Sequence, residues 1–357
     1  MACDRAFIDR AKGCLYGQAV GDSLGCRYEF KSADEVKETI VADRDANGFL
    51  PIKGGGVFEF ECGQVTDDTE MAMAIVRSVL RNGRYDDADV ACSFAHWCFT
   101  NPPDIGNTTA TALHLSKGAD LEGMELTDLK SENWFEKISE KQKAAAWKVI
   151  MKNAESNCKE SLSNGCLMRI SPIAIAAAST DMKRLLDVAA RNCRLTNPND
   201  ITVDGVQCYV AALKTLLDTA NTELAYSAAV ECAKTPTIQS ILQVAREKPI
   251  PVALNNHPPT NGDRGAIGYI GVALQGAFFE LLHAESFEHG LIRTIERGGD
   301  TDTNGCISGA LLGAKFGADN IPLQWKDMIV SAKPGRHQEY PEVVLSELES
   351  IVEKMIT

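Results

Sequence analysis

The sequence of 357 residues has no apolar run long enough to predict a membrane span. Its longest apolar stretch, residues 266–282 (AIGYIGVALQGAFFELL), contains Gln275 and Glu280 and predicts a buried helix instead. The opening residues (MACDRAFIDRAKG) carry charged side chains throughout, so no secretory signal peptide is indicated. We therefore expect a cytoplasmic protein that binds no membrane.

Motifs for several common ligands are also absent. There is no Cys-x-x-Cys or His-x-x-x-His pair, no Gly-x-x-x-x-Gly-Lys-Ser/Thr and no Gly-x-Gly-x-x-Gly. Structural zinc, nucleotide-triphosphate hydrolysis and Rossmann binding therefore lack support. Twelve cysteines are present, and we predict reduced, buried thiols because several lie inside apolar helical patterns, namely Cys14, Cys208, Cys232 and Cys306.

Positive charge is in short supply. Lysine and arginine number 36 against 49 aspartates and glutamates, which gives a net charge of -13. Such a balance argues against a nucleic-acid partner, because capture of a phosphate backbone needs clustered cations. A small anionic ligand held by backbone N–H groups remains compatible with it.

Alternating β-type patterns are scarce, whereas helical periodicity recurs along the chain. Residues 55–63 (GGVFEFECG) are the best strand candidate and could equally form a loop. Residues 247–265 are irregular, and we interpret them as a surface loop rather than a domain boundary. We predict one all-α domain spanning residues 1–357, with helical patterns in 71–83, 172–179, 206–220, 225–233 and 343–356.

The stretch TDDTEMA places Thr66 where a helix N-cap belongs and puts Asp67 and Asp68 in the first turn. Capping explains this pattern, because a hydroxyl satisfies free N–H groups and acids oppose the helix dipole. The same three residues also supply oxygen ligands of the kind that Mg²⁺ prefers. Both readings are open for this stretch taken alone.

A second such cluster lies near the other end of the chain, in GGDTDTNG (residues 298–305). Asp300, Asp302 and Thr303 precede an apolar helical pattern at 306–317. Acids at the mouth of a buried helix are costly unless they are paired or bind metal. If the fold brings the two clusters together, six hard ligands suit two cations better than one.

Two polar turns are candidate ligand-binding loops. In DIGNTT, Asp104 leads into Gly106, Asn107 and Thr108, which could present N–H groups and a hydroxyl to a phosphate or could form an ordinary helix cap. In SNGCLMRISP, a Ser-Asn-Gly turn precedes Arg169, which we expect to bind carbonyl groups of its own loop.

The stretch GQAVGDSLGCRYEF (residues 17–30) combines glycines with two acids. Gly21, Asp22 and Gly25 are expected to interrupt an amphipathic start, and Glu29 ends the stretch on a glycine-rich turn. A single glutamate on such a turn is usually only solvated.

Taken together, these stretches resemble the ADP-ribosylglycohydrolase family. The matching pieces occur in the family's order over nearly the whole chain: GDSLGCRYEF, TDDTEMA, DIGNTT, SNGCLMRISP, GYIGVAL and GGDTDTNGCISGALLGA. The DIGNTT form is closest to the arginine-directed bacterial branch. The resemblance implies an all-α fold with two Mg²⁺ ions, or Mn²⁺ in their place, at the base of a cleft.

The resemblance also implies roles for individual residues. The metal ligands would be Thr66, Asp67, Asp68, Asp300, Asp302 and Thr303, with Asp302 bridging the ions. Substrate-binding positions would be Gly106, Asn107 and Thr108 at the diphosphate, with Asn164, Gly165, Met168 and Tyr269 along the cleft. Glu29 matches a glutamate that lies on a mobile flap in some members. Asn197 stands where several relatives carry a histidine near the ribose, and asparagine cannot titrate near neutrality.

The implied reaction is hydrolysis of the N-glycosidic bond between ADP-ribose and an arginine of a mono-ADP-ribosylated protein, with ADP-ribose as product. The general base would be Asp104 for an arginine-linked substrate and Glu29 for a serine-linked one, because metal ligation depresses the basicity of the other acids. Two alternatives are a hydrolase of O-glycosidic bonds in ADP-ribosylserine or poly(ADP-ribose), and a catalytically silent ADP-ribose-binding protein.

Overall fold

Helices make up almost all regular structure in the residues that the computed structural model describes, which are 4–116, 118–252, 267–332 and 345–356. The α-helices of these residues are α1 Arg5–Gly25, α2 Ala33–Asp43, α3 Asp67–Asn82, α4 Asp87–Phe99, α5 Asn107–Leu113, α6 Leu126–Leu129, α7 Trp134–Lys137, α8 Glu140–Asn157, α9 Ser171–Ala176, α10 Met182–Arg194, α11 Asp200–Thr219, α12 Thr222–Cys232, α13 Pro236–Ala245, α14 Ile270–His283, α15 Phe287–Ile295, α16 Thr301–Phe316, α17 Leu323–Ser331 and α18 Leu348–Met355. Short 3₁₀ turns span Cys26–Tyr28, Asn164–Cys166, Ala318–Asn320 and Leu345–Glu347.

Two central helices, α1 and α16, touch through their backbones. They run antiparallel, and glycines at helical spacing face one another in the pairs Gly13–Gly313, Gly17–Gly309 and Gly21–Gly305. A Cβ atom added at any of these positions would overlap the carbonyl oxygen of the facing glycine. Glycine is therefore required here by close approach and not by backbone conformation.

The core continues outward from this pair. One hydrophobic cluster joins side chains from both ends of the described chain, from Phe7 on α1 to Met355 on α18. Trp97 and Trp325 are fully buried within it. No helix of the described residues combines the length and apolarity that crossing a lipid bilayer would require.

The helical predictions are largely confirmed. The pattern at 71–83 lies in α3, which ends at a left-handed Gly83, and the patterns at 206–220 and 225–233 form α11 and α12. The pattern at 172–179 is helical only as far as Ala176. Residues 343–344, most of the irregular segment 247–265 and the first residue of 266–282 lie outside the described residues.

One local expectation is wrong. Gly21, Asp22 and Gly25 do not interrupt α1, which is continuous from Arg5 to Gly25. Gly21 and Gly25 instead lie in backbone contact with the start of α16. Of the two alternatives for residues 55–63, the structure shows the loop, which is closed by a single bridge between Gly55 and Phe60.

The cysteine prediction is mostly confirmed. All eleven cysteines of the described residues are free thiols, and most of them are buried. Cys62 is exposed, and Cys98 and Cys232 are partly exposed, so these three depart from the expectation; Cys232 lies near the end of α12.

The glycine contact between α1 and α16 can be tested by adding one methyl group. We expect Gly309→Ala to lower the free energy of unfolding by about 1–3 kcal/mol, because a backbone-to-backbone contact cannot relax by rotating a side chain. Chemical denaturation would measure the loss. Gly118→Ala is the matched control, since its added Cβ would meet no atom within 4 Å. Equal stability of the two variants would contradict the packing argument.

Candidate active site

A cleft of about 860 Å³ opens between three loops that converge on the starts of α3 and α16. Its walls are the turn at Glu29 and Phe30, residues 104–109 and residues 160–165. Asp67 and Asp300 line its acidic end. No lysine or arginine occurs among the described residues that line it.

The start of α3 supplies the first half of the acidic cluster. Thr66 is the N-cap, and its hydroxyl both accepts from the Asp68 amide at 3.3 Å and donates to the Asp68 carboxylate at 2.9 Å. Asp68 is fully buried and Asp67 nearly so. The capping interpretation is therefore correct for Thr66, but capping does not balance the negative charge of the two carboxylates, of which Asp67 interacts electrostatically with the buried Arg169 guanidinium.

The start of α16 supplies the second half. Asp302 and Thr303 are buried in its first turn, one turn earlier than the pattern at 306–317 indicated. The Thr303 hydroxyl donates to the Asp68 carboxylate at 3.4 Å, so the two sequence clusters are in direct contact. Asp300 accepts a hydrogen bond from the Asn164 side-chain amide at 2.7 Å.

Glu29 and Asp104 join this cluster. Carboxylate oxygens of Glu29, Asp104 and Asp302 lie within 4.8 Å of one another, a spacing that could hold a metal ion. One oxygen of Glu29 and one of Asp68 are buried without any hydrogen-bond partner among the described residues. Buried, unpaired carboxylate oxygens are the donor set that a hard cation needs, so the residues fit a metal.

Burial and mutual repulsion raise the pKa of these carboxyl groups. Burial, followed by the charges of Asp300 and Asp104, raises the pKa of Glu29 to about 10. Burial, followed by the charge of Asp300, raises the pKa of Asp104 to about 7. Burial and neighbouring carboxylates also raise the pKa well above its ordinary value in Asp67, Asp68 and Asp302.

Sequence reasoning missed one buried acid beside the cluster. Asp22 on α1 is fully buried, and its carboxylate accepts hydrogen bonds from the backbone amides of Thr66 and Thr69. Burial raises its pKa to about 6, against these hydrogen bonds. The only sequence signal was its place among the glycines of α1, which seemed to mark an interrupted helix.

The turn Gly106–Thr108 lines the cleft directly after Asp104. Gly106 is the N-cap of α5, and no side chain caps this helix. The alternative of an ordinary helix cap by an Asp or Asn side chain is therefore wrong. Gly106 and Asn107 are exposed. The Thr108 hydroxyl is hydrogen-bonded to the Ser161 hydroxyl at 2.9 Å, which ties this turn to the next wall of the cleft.

Asn164, Gly165 and Met168 also line the cleft, and a buried network supports them from behind. Arg169 is fully buried and donates to the Gly165 carbonyl at 3.1 Å, as expected of a loop-binding arginine. It also donates to the side chains of Asn192 and Thr196.

Asn197 and Tyr269 are buried and are not among the residues that line the cleft. The Asn197 amide donates to the Ser163 hydroxyl at 2.9 Å. Tyr269 pairs with Ser163 through an isolated bridge. Both residues therefore contact the Ser163 turn from the protein interior.

The geometry agrees with comparisons to known proteins. The model of the ADP-ribosylglycohydrolase family matches residues 4–353. The chain therefore belongs to the ADP-ribosylglycohydrolase family, a metal-dependent family whose membership supports hydrolase activity.

Among its relatives, ADP-ribosyl-[dinitrogen reductase] glycohydrolase of Rhodospirillum rubrum is 27% identical, covering 89% of this chain and 89% of that protein. ADP-ribosylarginine hydrolase Tri1 of Pseudomonas putida is 24% identical, covering 90% of this chain and 74% of that protein. A solved structure titled "ADP-ribosylglycohydrolase-related protein complex" covers 99% of both chains with a TM-score of 0.67 at 21% identity, which shows the shared fold.

The raised pKa values predict how pH affects the metal-free protein. A carboxyl group whose pKa is higher in the folded than in the unfolded state stabilises the fold at low pH, and this contribution is lost as pH rises. The unfolded values lie near 4, and the folded values are about 6 for Asp22 and about 7 for Asp104. We therefore expect the metal-free melting temperature to fall between pH 5 and pH 8.

A bound cation would remove this loss, so added Mg²⁺ should raise the melting temperature more at pH 8 than at pH 5. At about 100 times its Kd, a ligand stabilises by about 2.7 kcal/mol, which corresponds to several degrees. Thermal unfolding in chelator and in Mg²⁺ at both pH values measures the difference. An equal shift at both pH values would contradict the presence of a metal site in this acidic cluster.

Proposed function

We propose that this protein is a Mg²⁺-dependent hydrolase that removes ADP-ribose from modified arginine side chains of proteins. The observation that carries the proposal is the meeting of Glu29, Asp104 and Asp302 at the acidic end of a cleft large enough for a nucleotide-sized ligand. Family membership supports hydrolysis of an ADP-ribosyl bond.

Two ions would be held by the oxygens that cluster at the starts of α3 and α16, namely those of Thr66, Asp67, Asp68, Asp300, Asp302 and Thr303. Mn²⁺ could replace Mg²⁺ because both prefer oxygen ligands. When bound, such ions supply a Lewis acid for the ribose hydroxyls and for water. The side-chain amide of Asn164 holds Asp300 at 2.7 Å and would keep that carboxylate oriented.

The walls of the cleft would bind the rest of ADP-ribose. The exposed turn Gly106–Thr108 presents backbone amides suited to a diphosphate. Asn164, Gly165 and Met168 would contact the sugar and exclude water from one side. Asn197 and Tyr269 would act through the Ser163 turn, because their side chains are buried behind it.

The proton would be moved by a carboxylate that is not committed to a cation. Asp104 is half-buried, lines the cleft and leads directly into the Gly106–Thr108 turn, so it would lie near the bond between sugar and target side chain if that turn binds the diphosphate. Glu29 also lines the cleft, and its carboxylate lies within 4.8 Å of that of Asp104. We assign the general base to Asp104 for an arginine-linked substrate and to Glu29 for a serine-linked one.

The arginine linkage is supported by the resemblance of DIGNTT to the arginine-directed branch and by the name of the Tri1 relative. The product would be ADP-ribose, the substrate a mono-ADP-ribosylated protein, and the location the cytoplasm. Hydrolysis of serine-linked or polymeric ADP-ribose uses the same acidic cluster and is the alternative.

A substrate panel tests the linkage. Purified protein with Mg²⁺ is offered peptides carrying ADP-ribose on arginine or on serine, and free ADP-ribose is measured by chromatography. We expect release from arginine, and Asp302→Ala should lower kcat/KM at least about 100-fold because its charge stabilisation is worth several kcal/mol.

Asp302→Ala should retain the helical circular-dichroism spectrum, which separates loss of chemistry from loss of fold. Release from the serine peptide alone would overturn the arginine assignment in favour of the alternative. Absence of turnover on both peptides would leave a binding protein. Full activity of the Asp302 variant would refute the metal role.

The base assignment has its own test on the arginine-linked peptide. Asp104→Asn removes the proposed base and should lower kcat by about 100-fold or more, the usual range for such a group. Glu29→Gln is the matched control in the same cluster and should have a smaller effect. Single-turnover rates at several pH values provide the measurement, and the reverse order would assign the base to Glu29.

A further inference from the structure

Asp22 is a buried acid that contacts the start of α3 and does not line the cleft. It is fully buried in the last turn of α1, three residues before that helix ends at Gly25. Its two carboxylate oxygens accept the Thr66 amide at 3.0 and 3.1 Å, and one of them accepts the Thr69 amide at 3.1 Å. Both oxygens are therefore occupied by backbone donors.

These bonds complete the start of α3. The first amides of a helix have no partner within the helix and need an outside acceptor. Thr66 caps only the Asp68 amide, and its hydroxyl proton is committed to the Asp68 carboxylate. Asp22, which lies on α1, accepts hydrogen bonds from the Thr66 and Thr69 amides and so provides this outside acceptor.

The part of α1 that carries Asp22 is held in place by contacts with α16. The preceding residue, Gly21, faces Gly305 so closely that neither could carry a Cβ atom without overlap. Gly25, one turn later, would meet Asp302 in the same way. α1 is thus in backbone contact with the start of α16 while its Asp22 side chain holds the start of α3.

We propose that Asp22 is a positioning residue that sets the spacing between the two halves of the acidic cluster, Thr66–Asp68 on α3 and Asp300–Thr303 on α16. It does so without ligating a cation, because its oxygens accept backbone N–H groups. This inference rests on the metal site of the proposed function. According to this inference, α1 keeps the ligand group at the start of α3 at a constant distance from the ligand group at the start of α16.

The chain contains a matched control. Asp204 on α11 is also buried, and its carboxylate accepts the backbone amides of Lys234 and Thr235 at 2.7–3.0 Å. Thr235 is the N-cap of α13, as Thr66 is of α3. The same chemistry therefore occurs at a helix start that contributes nothing to the cleft lining.

The experiment compares Asp22→Asn with Asp204→Asn in the full-length protein. Each substitution replaces one acceptor oxygen by an amide that faces backbone donors, so both variants should lose stability. Mn²⁺ affinity is measured by isothermal titration, and the electron paramagnetic resonance spectrum reports coupling between bound Mn²⁺ ions. Asp22→Asn should weaken Mn²⁺ binding by about 10–100-fold, the usual effect of removing a group that orients metal ligands.

Asp204→Asn should bind Mn²⁺ as the unsubstituted protein does. Asp22→Glu keeps the charge with a longer side chain and should fold, bind Mn²⁺ weakly and show a changed spectrum. Unchanged Mn²⁺ affinity in the Asp22 variants would overturn this inference alone. The role assigned to Asp22 predicts a loss of stability similar to that of Asp204→Asn. If both Asp22 variants failed to fold while Asp204→Asn folded, Asp22 would be needed for the fold itself, and the inference would be overturned. If the unsubstituted protein binds no Mn²⁺, this inference and the proposed metal site both fail.

Discussion

The cluster exists because α1 and α16 touch backbone to backbone. Their facing glycines place the end of α1 against the start of α16, where Gly25 contacts Asp302 and its carbonyl accepts a hydrogen bond from the Thr301 hydroxyl at 2.7 Å.

Two helix starts, those of α3 and α16, then meet at one point. Each contributes roughly half a positive charge from its dipole. About one unit of positive charge cannot balance the acids gathered there, which are Asp22, Glu29, Asp67, Asp68, Asp104, Asp300 and Asp302. The remaining charge is what protons or cations must supply.

The acids themselves could be read from the sequence, since TDDT and GGDTDTNG each pair hydroxyls with carboxylates at a helix start. In the structure the two clusters meet through a hydrogen bond between Thr303 and Asp68, which are 235 positions apart in the sequence. What the sequence did not reveal is the structural element that joins them. The glycines of α1 looked like helix breakers because their partners on α16 are nearly 300 residues away, and a close contact has no local signature. Asp22 escaped notice for the same reason, as its partners belong to another helix.

The direction in which a loop side chain faces was harder to predict than its place in a loop. Asn197 and Tyr269, which the resemblance places near the substrate, are buried next to the cleft wall: the Asn197 amide donates to the Ser163 hydroxyl, and Tyr269 pairs with Ser163 through a backbone bridge. Asn164 and Gly165, on that same turn, do line the cleft. The difference arises from packing, since Arg169 and the neighbouring helices occupy the interior side of the turn. A residue can thus be essential for the shape of a site without facing its ligand.

The turn that carries Glu29 is also held in shape by contacts outside the cleft. Phe30 has a left-handed backbone with φ of 62°, unusual for a bulky residue and costly unless the surroundings hold it. Two backbone bonds do so, from the Phe30 amide to the Gly299 carbonyl at 2.8 Å and from the Gly299 amide to the Lys31 carbonyl at 2.9 Å. The turn is therefore joined to the residue that precedes Asp300. A displacement of Glu29 that carried Phe30 and Lys31 with it would have to break both bonds. These two bonds therefore hold the turn that carries Glu29 against the segment that leads into Asp300, so the glutamate and the start of α16 are fixed relative to each other by backbone contacts.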